Sequence, residues 1–398
     1  MSRVSEILKN NSATFQAVVR QAEGAYPTDV RAALHTLADQ NLVSKGSGDV
    51  WSLHSGPSPL SAAEKNETHI CSDSSDLPEP HPLDFDWRFA RQTLELLHQK
   101  LNTMDCSNAG ILGAPTLFKF LRDHSKTAHL FDRNTQIVNY LSREGYADVT
   151  CCDLFRFSAR HQFHCVVADP PWYLDYYRAF IEAARRALRP QGRLLLSVLP
   201  RLTRPSADQD RSEILRFASD RGFDLVDKEP ASLRYLSPPF ETEALKSEGL
   251  NIGAWRSGDL YTFALSERDV PEYRVDKSEE DQLWHTWTVG RTVVKVKWDG
   301  SHGEEKFDLH NLAGATGIRF RSVSRRSPLR SRINVWTSRN IALRTSRPDV
   351  VCAALQLLSE GHRSQDITIA LLKAEKLQAV DVEQLEHFLD TLINESAN

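Results

Sequence analysis

The residues best placed for chemistry in this 398-residue chain lie in the run His164-Cys165-Val166-Val167-Ala168-Asp169-Pro170-Pro171-Trp172-Tyr173. A β-branched apolar run reads as a buried strand, and two consecutive prolines cannot continue a ladder, so the strand ends at Asp169. In an open parallel sheet the carboxyl ends of strands form the edge where ligands bind. There the Asp169 carboxylate and the Pro170 carbonyl, held by the fixed φ of Pro170 and Pro171, can accept both N–H groups of a delocalised amine such as the exocyclic amine of adenine. Held at two fixed points, that nitrogen moves toward tetrahedral geometry and aims its lone pair at an electrophilic methyl carbon. Trp172 then offers a flat face for a base. A second such tetrapeptide, Ser237-Pro238-Pro239-Phe240, follows the less apolar run 231–236 and is read as a loop.

The elements that must position Asp169 alternate. Ala109 to Gly113 reads as a first strand entering a glycine turn, and Pro115 suits the first position of a helix over 116–123. Thr127 to Phe131 is a second strand ending in Asp132, and Tyr146 to Cys152 a third ending in Asp153. The strand before Asp169 is the fourth, followed by a helix over 176–188. Strands at 193–198, 223–226 and 259–265 and a helix over 212–220 complete the pattern, with a leading helix over 87–101. Strands joined by crossover helices predict an α/β, doubly wound, mainly parallel sheet over 85–268.

Three other segments differ in character. Residues 1–54 show helical periods and then two extended runs around Gly46 and Gly48, a winged-helix-like pattern whose third helix starts at a Thr28 cap. That helix carries only Arg31 and His35 as cations, so a protein contact is as good a reading as DNA. Residues 55–84 are polar, acidic and proline-rich, a linker. Residues 269–398 form a basic α+β module, with two strands around Gly290 and helices over 349–358 and 380–392. Its arginine cluster, Arg319, Arg321, Arg325, Arg326, Arg330 and Arg332, continuing through Arg339, Arg344 and Arg347, is a candidate phosphate-binding surface. The opposing reading pairs these arginines with acids elsewhere, because the chain carries a net charge of −4. Six cysteines without CxxC spacing argue against structural zinc and for a reducing compartment. With no apolar run long enough to span a bilayer, the sequence predicts a soluble, cytoplasmic protein.

Residues 85–268 resemble the class I S-adenosylmethionine-dependent methyltransferases, and within them the N6-adenine methyltransferase-like family. The motif that carries this is Asp169-Pro170-Pro171-Trp172 after the fourth strand, together with an Ala114-Pro115 turn opening the first helix. Where better-known DNA adenine methyltransferases have Phe-x-Gly-x-Gly, this chain has Gly110-Ile111-Leu112-Gly113. The resemblance implies a Rossmann-like sheet and S-adenosylmethionine as cofactor. It implies that Gly110, Gly113 and Pro115 approach the methionine portion, that Asp132 binds the ribose hydroxyls, and that Asp153 lies near the cofactor's adenine. It further implies a catalytic set of Asp169, Pro170, Pro171 and Trp172 acting on adenine in DNA or RNA. Because the family includes enzymes acting on protein lysine, a lysine N-methyltransferase is the alternative, and a catalytically idle binding protein is another.

Overall fold

The computed structural model describes residues 2–9, 12–54, 77–158, 160, 163–268, 270–275, 283–301, 306–312, 329–374 and 377–396. Two compact units emerge. The first comprises Met1–Leu77, Trp87–Ser237 and Ile252–Lys277, and the second Pro78–Asp86, Pro238–Asn251 and Ser278–Asn398. Residues 78–84 of the expected linker and residues 85–86 and 238–251 of the expected sheet region thus fall in the second unit.

The first unit opens with α1 (Ser2–Ile7), β1 (Ala13–Thr14), α2 (Phe15–Gln21), α3 (Pro27–Asp39), β2 (Val43–Lys45) and β3 (Val50–Leu53). Thr14 caps α2 by accepting from the Ala17 amide at 3.2 Å. The third helix starts before the expected cap at Thr28, with Pro27 in its first turn supplying a helical φ. These elements pack against the large sheet's loops. The Leu202 amide donates to the Glu23 carbonyl at 2.9 Å, and Tyr26 meets Trp255 edge to face at 5.6 Å. Gly24, at φ 85°, lets the chains approach, since an added Cβ would lie 2.9 Å from Pro200 and 2.7 Å from the Thr203 hydroxyl.

The large sheet is built from β4 (Ala109–Leu112), β5 (Ala128–Asp132), β6 (Val149–Cys151), β7 (Phe163–Ala168), β8 (Leu188–Val198), β9 (Phe223–Arg234) and β10 (Ser257–Leu265). Helices α4 (Arg91–Thr103), α5 (Pro115–Asp123), α6 (Thr135–Arg143), α7 (Leu174–Ala187) and α8 (Ala207–Asp220) join the strands. The order is β6-β5-β4-β7-β8-β10-β9, with β10 antiparallel to both neighbours. Chain order reverses between β4 and β7, the switch point where an open sheet leaves a crevice. Strand β9 runs eight residues beyond the expected 223–226. Its residues 224–228 are exposed along an edge, so apolar content does not announce it.

In the second unit, α9 (Pro239–Ser247) has Pro238 at its cap and Pro239 in its first turn, so the second Pro-Pro pair is a helix start. Strands β11 (Trp284–Val289), β12 (Thr292–Lys297), β13 (His310–Asn311), β14 (Val335–Thr337) and β15 (Ala342–Arg344) form an antiparallel sheet. Their apolar residues share a core with α10 (Pro348–Ser359), α11 (Ser364–Lys373) and α12 (Val382–Ser396). Helix α11 is missing from the sequence reading.

His81 is fully buried in this unit, accepting at Nδ1 from the Leu83 amide at 3.1 Å and donating from Nε2 to the Trp336 carbonyl at 2.9 Å. The Leu83 N–H can only donate, which fixes the neutral tautomer with its proton on Nε2. Burial first, and then the Lys295 charge, pull this histidine down to about 3. A folded value below the ordinary 6.5 means the unfolded chain binds the extra proton first. Stability therefore falls as pH drops from about 6.5 toward 3. His81→Asn should flatten that slope in denaturation midpoints of the second unit's signal between pH 7 and 5.

Candidate active site

Seven strands bring their site-edge ends together. Gly113 follows β4, Asp132 ends β5, Asp153 follows β6, Asp169 follows β7, Leu199 follows β8, Tyr235 follows β9, and Arg256 precedes the reversed β10. The expected residues Gly113, Asp132, Asp153 and Asp169 thus share one edge, as the topology of a parallel sheet requires.

At Gly113 the backbone is left-handed, φ 67°, and its amide donates to the Phe131 carbonyl at 3.0 Å. An added Cβ would stand 3.1 Å from the Phe180 ring and 3.5 Å from the Asp169 carbonyl, so this turn has room for backbone alone. Gly110 plays another part. It lies inside β4, where its missing side chain admits the Phe163 ring, 3.0 Å from an added Cβ, so it is a packing residue rather than part of the turn. Pro115 occupies the first turn of α5. The buried Asp132 carboxylate accepts from the Asn134 amide at 2.8 Å, and Asp153 accepts from the Phe155 amide at 3.2 Å, capping the turn Leu154–Arg156. Beside them burial pushes the Cys152 thiol up to about 12, helped by Cys151 when it is ionised and by the charges of Asp132 and Asp153. It stays a thiol at neutral pH.

Asp169 is held by a partner that sequence reasoning missed. The Tyr235 hydroxyl donates to Asp169 Oδ1 at 2.8 Å and lies 2.6 Å from Ser197 Oγ, which can donate back to it. Burial, then the Asp169 charge, hold the Tyr235 phenol well above its ordinary value, so it remains a donor. Its amide donates to the Arg256 carbonyl at 3.1 Å. Tyr177 is a second buried phenol, accepting from the Leu199 amide at 2.9 Å. Burial raises it too, against the lowering effect of the Leu199 amide, and the charges of Asp169, Arg204 and Arg256 also reach it. Nothing local flags Tyr235, because it follows an exposed edge strand. Tyr235→Phe should lower turnover roughly tenfold, the worth of one hydrogen bond to a charged group, without moving cofactor affinity in calorimetry.

The Pro-Pro-Trp turn is pinned. The Tyr173 amide donates to the Pro171 carbonyl at 2.7 Å, and Arg204 donates from Nη1 to the Trp172 carbonyl and from Nε to Asp210 Oδ2. Trp172 differs from the open platform expected of it. Trp172 is 7% exposed, and the Arg256 guanidinium carbon lies 4.0 Å from its ring centroid and 4.1 Å from that of Trp87.

The expected phosphate-binding arginines fare differently. Arg319, Arg321, Arg325 and Arg326 lie outside the described residues. Arg330 stacks on Phe85 and Trp336 at 5.3 and 5.1 Å, Arg339 pairs with Glu79 at 2.9 Å, and Arg347 pairs with Asp349 at 2.8 Å. Arg332 and Arg344 are exposed. Several arginines of the cluster are thus committed to structure.

Comparison with known proteins adds three findings. Residues 86–219 match the family described as "Probable N6-adenine methyltransferase". Among solved structures, the branched-chain polyamine synthase of Thermus thermophilus superposes with a TM-score of 0.53 at 15% identity, over 69% of this chain and 90% of that one. The N-methyltransferase NodS of Bradyrhizobium japonicum WM9 gives 0.30 at 14% identity, over 44% and 98%. Comparison with curated protein sequences finds no significant match. The central sheet has the Rossmann-like class I methyltransferase fold, and its segment resembles the N6-adenine methyltransferases. S-adenosylmethionine is the cofactor of that class. Among the described residues no helix is long and apolar enough to cross a membrane.

Proposed function

We propose, from the premise that residues 86–219 match an N6-adenine methyltransferase family, that this chain methylates the exocyclic amine of adenine in nucleic acid. The observation that carries the reading is Asp169 at the switch point, its carboxylate oriented by Tyr235 and followed by a pinned Pro170-Pro171-Trp172 turn. The strand-end residues fit the cofactor of the class. On this reading the side-chain-free turn at Gly113 would let backbone approach the methionine portion, and Asp132 and Asp153, at the ends of neighbouring strands, would meet the ribose and the adenine.

S-adenosylmethionine supplies an activated methyl carbon on a sulfonium. The chain's own residues do the rest. Asp169 has acceptor capacity beyond its bond from Tyr235, since a carboxylate offers about four lone-pair sites. It accepts one amine N–H, while the Pro170 carbonyl accepts the other. That pair fixes the lone pair's direction and favours the positive charge that develops on the nitrogen as the carbon bonds to it. Tyr235, kept protonated, prevents the carboxylate from rotating out of line. The test is transfer of labelled methyl to mixed DNA, RNA and total protein. Label in N6-methyladenine supports the reading, and label confined to methyl-lysine replaces it with the protein-lysine alternative.

A second reading, alkylation of a polyamine nitrogen, is favoured by one observation: the likeness to the polyamine synthase extends over most of that chain. Product mass separates the two.

A further inference from the structure

The Arg256 guanidinium packs on two indole rings, Trp87 and Trp172, and Trp172 lies three residues beyond Asp169. Its carbon is 4.1 Å from the Trp87 ring centroid and 4.0 Å from that of Trp172, within the range where a planar cation is attracted to a ring's negative face. A guanidinium does not lose its proton in a protein, so the positive charge there is permanent. The main chain holds it as firmly as the rings do. The Arg256 carbonyl accepts from the Tyr235 amide at 3.1 Å, and the next residue, Ser257, begins β10 in register with Arg234. The preceding residue, Trp255, is flanked edge-on by Tyr26 at 5.6 Å and Trp87 at 6.2 Å. Tyr235 therefore binds both partners of the site, through its hydroxyl to Asp169 and through its amide to Arg256.

A fixed cation on the turn that follows the acceptor aspartate discriminates by charge. An approaching lysine ammonium or polyamine meets repulsion on the side where a nucleic acid, with a neutral base and anionic phosphates, meets attraction. At an effective dielectric constant near 20, one unit charge several ångströms from another is worth about tenfold in affinity or more. We infer that Arg256 is a specificity-determining residue that turns the site against cationic amines and toward a neutral aromatic amine carried on a polyanion. This rests on the adenine reading of the same site and deepens it. It also gives Trp172 a role other than a base platform, as one wall of the clamp that holds the charge.

The test uses the full chain and the variants Arg256→Gln and Arg256→Lys, with circular dichroism confirming the fold. Calorimetry, with S-adenosylhomocysteine present, measures binding of a short single-stranded oligodeoxyadenylate and of spermidine, and transfer of labelled methyl is followed with the same two acceptors. The expected result is that the wild type prefers the oligonucleotide, that Arg256→Gln reduces this preference at least about tenfold, and that Arg256→Lys, which keeps the charge, restores most of it. Wild-type preference for spermidine, or an unchanged ratio in Arg256→Gln, overturns the inference. Methyl transfer to the oligonucleotide with an unchanged ratio would do so while leaving the adenine reading intact. A charge-dependent binding ratio without transfer to adenine would sustain charge selection and overturn the adenine reading.

Discussion

Replacing Asp169 with Ala is expected to lower methyl transfer by about a thousandfold and to leave S-adenosylmethionine affinity within a small factor, as single-turnover kinetics and calorimetry on the same preparation would register. The size follows from removing a preorganised acceptor aimed at developing charge, a loss of roughly 10²–10³ in rate, compounded by the freed Tyr235 hydroxyl, now buried without the carboxylate it faced. Cofactor affinity should be spared because the residues proposed to hold it, Gly113, Asp132 and Asp153, lie at the ends of other strands. Asp169→Asn separates charge from shape. It keeps an acceptor oxygen for one N–H, and should fall between wild type and Asp169→Ala. Equal activity in all three proteins would remove Asp169 from the mechanism.

The largest effect on stability belongs to Glu182. This carboxylate on α7 is buried and accepts from Arg185 at 3.0 Å, Arg186 at 3.2 Å and Arg221 at 2.9 Å, while Arg221, itself only 6% exposed, also donates to the Pro271 carbonyl. Glu182→Ala leaves the Arg221 charge buried without its counter-ion, which costs about 3–5 kcal/mol in comparable pairs. A urea midpoint shift worth less than about 1 kcal/mol would show that water replaces the pair. The ionisation points the same way. Burial alone would raise Glu182, but the hydrogen bonds and charges of Arg185 and Arg221 together outweigh it and hold the carboxyl below its ordinary range. A lowered folded value contributes stability above the unfolded value near 4.5 and loses it as pH falls toward the folded one. Since α7 packs behind β4, β7 and β8, its loosening should also carry the Pro170-Pro171 turn out of position.

Much of the central fold was legible because buried strands announce themselves. The runs ending at Leu112, Asp132 and Ala168 are apolar and short, and breakers or acids follow them, so strand ends and their site residues could be read together. Where burial was partial the signal faded. Strand β9 is mostly solvent-facing along its first half, and its extension to Arg234, with Tyr235 just beyond, had no apolar period to reveal it. The arginine run shows the converse, in that a dense charge pattern was visible but its use was not. The ion pair of Arg339 with Glu79 depends on a partner far away in the chain that the sequence cannot match to it, whereas Arg347 pairs with Asp349 only two residues on. Trp172 was correctly placed on the turn but misjudged in exposure, since what covers it comes from residues 87 and 256.

The reversal of β10 has a consequence for where in a chain such sites should be sought. In a wholly parallel sheet the binding edge receives only residues that follow strands, so a reader who inspects what trails each apolar run inspects the whole edge. One antiparallel strand changes the direction of search. It delivers to that edge the residues that precede a run, here Trp255 and Arg256 ahead of Ser257–Leu265. On the proposed reading, part of what the site accepts is then written upstream of a strand rather than downstream of one.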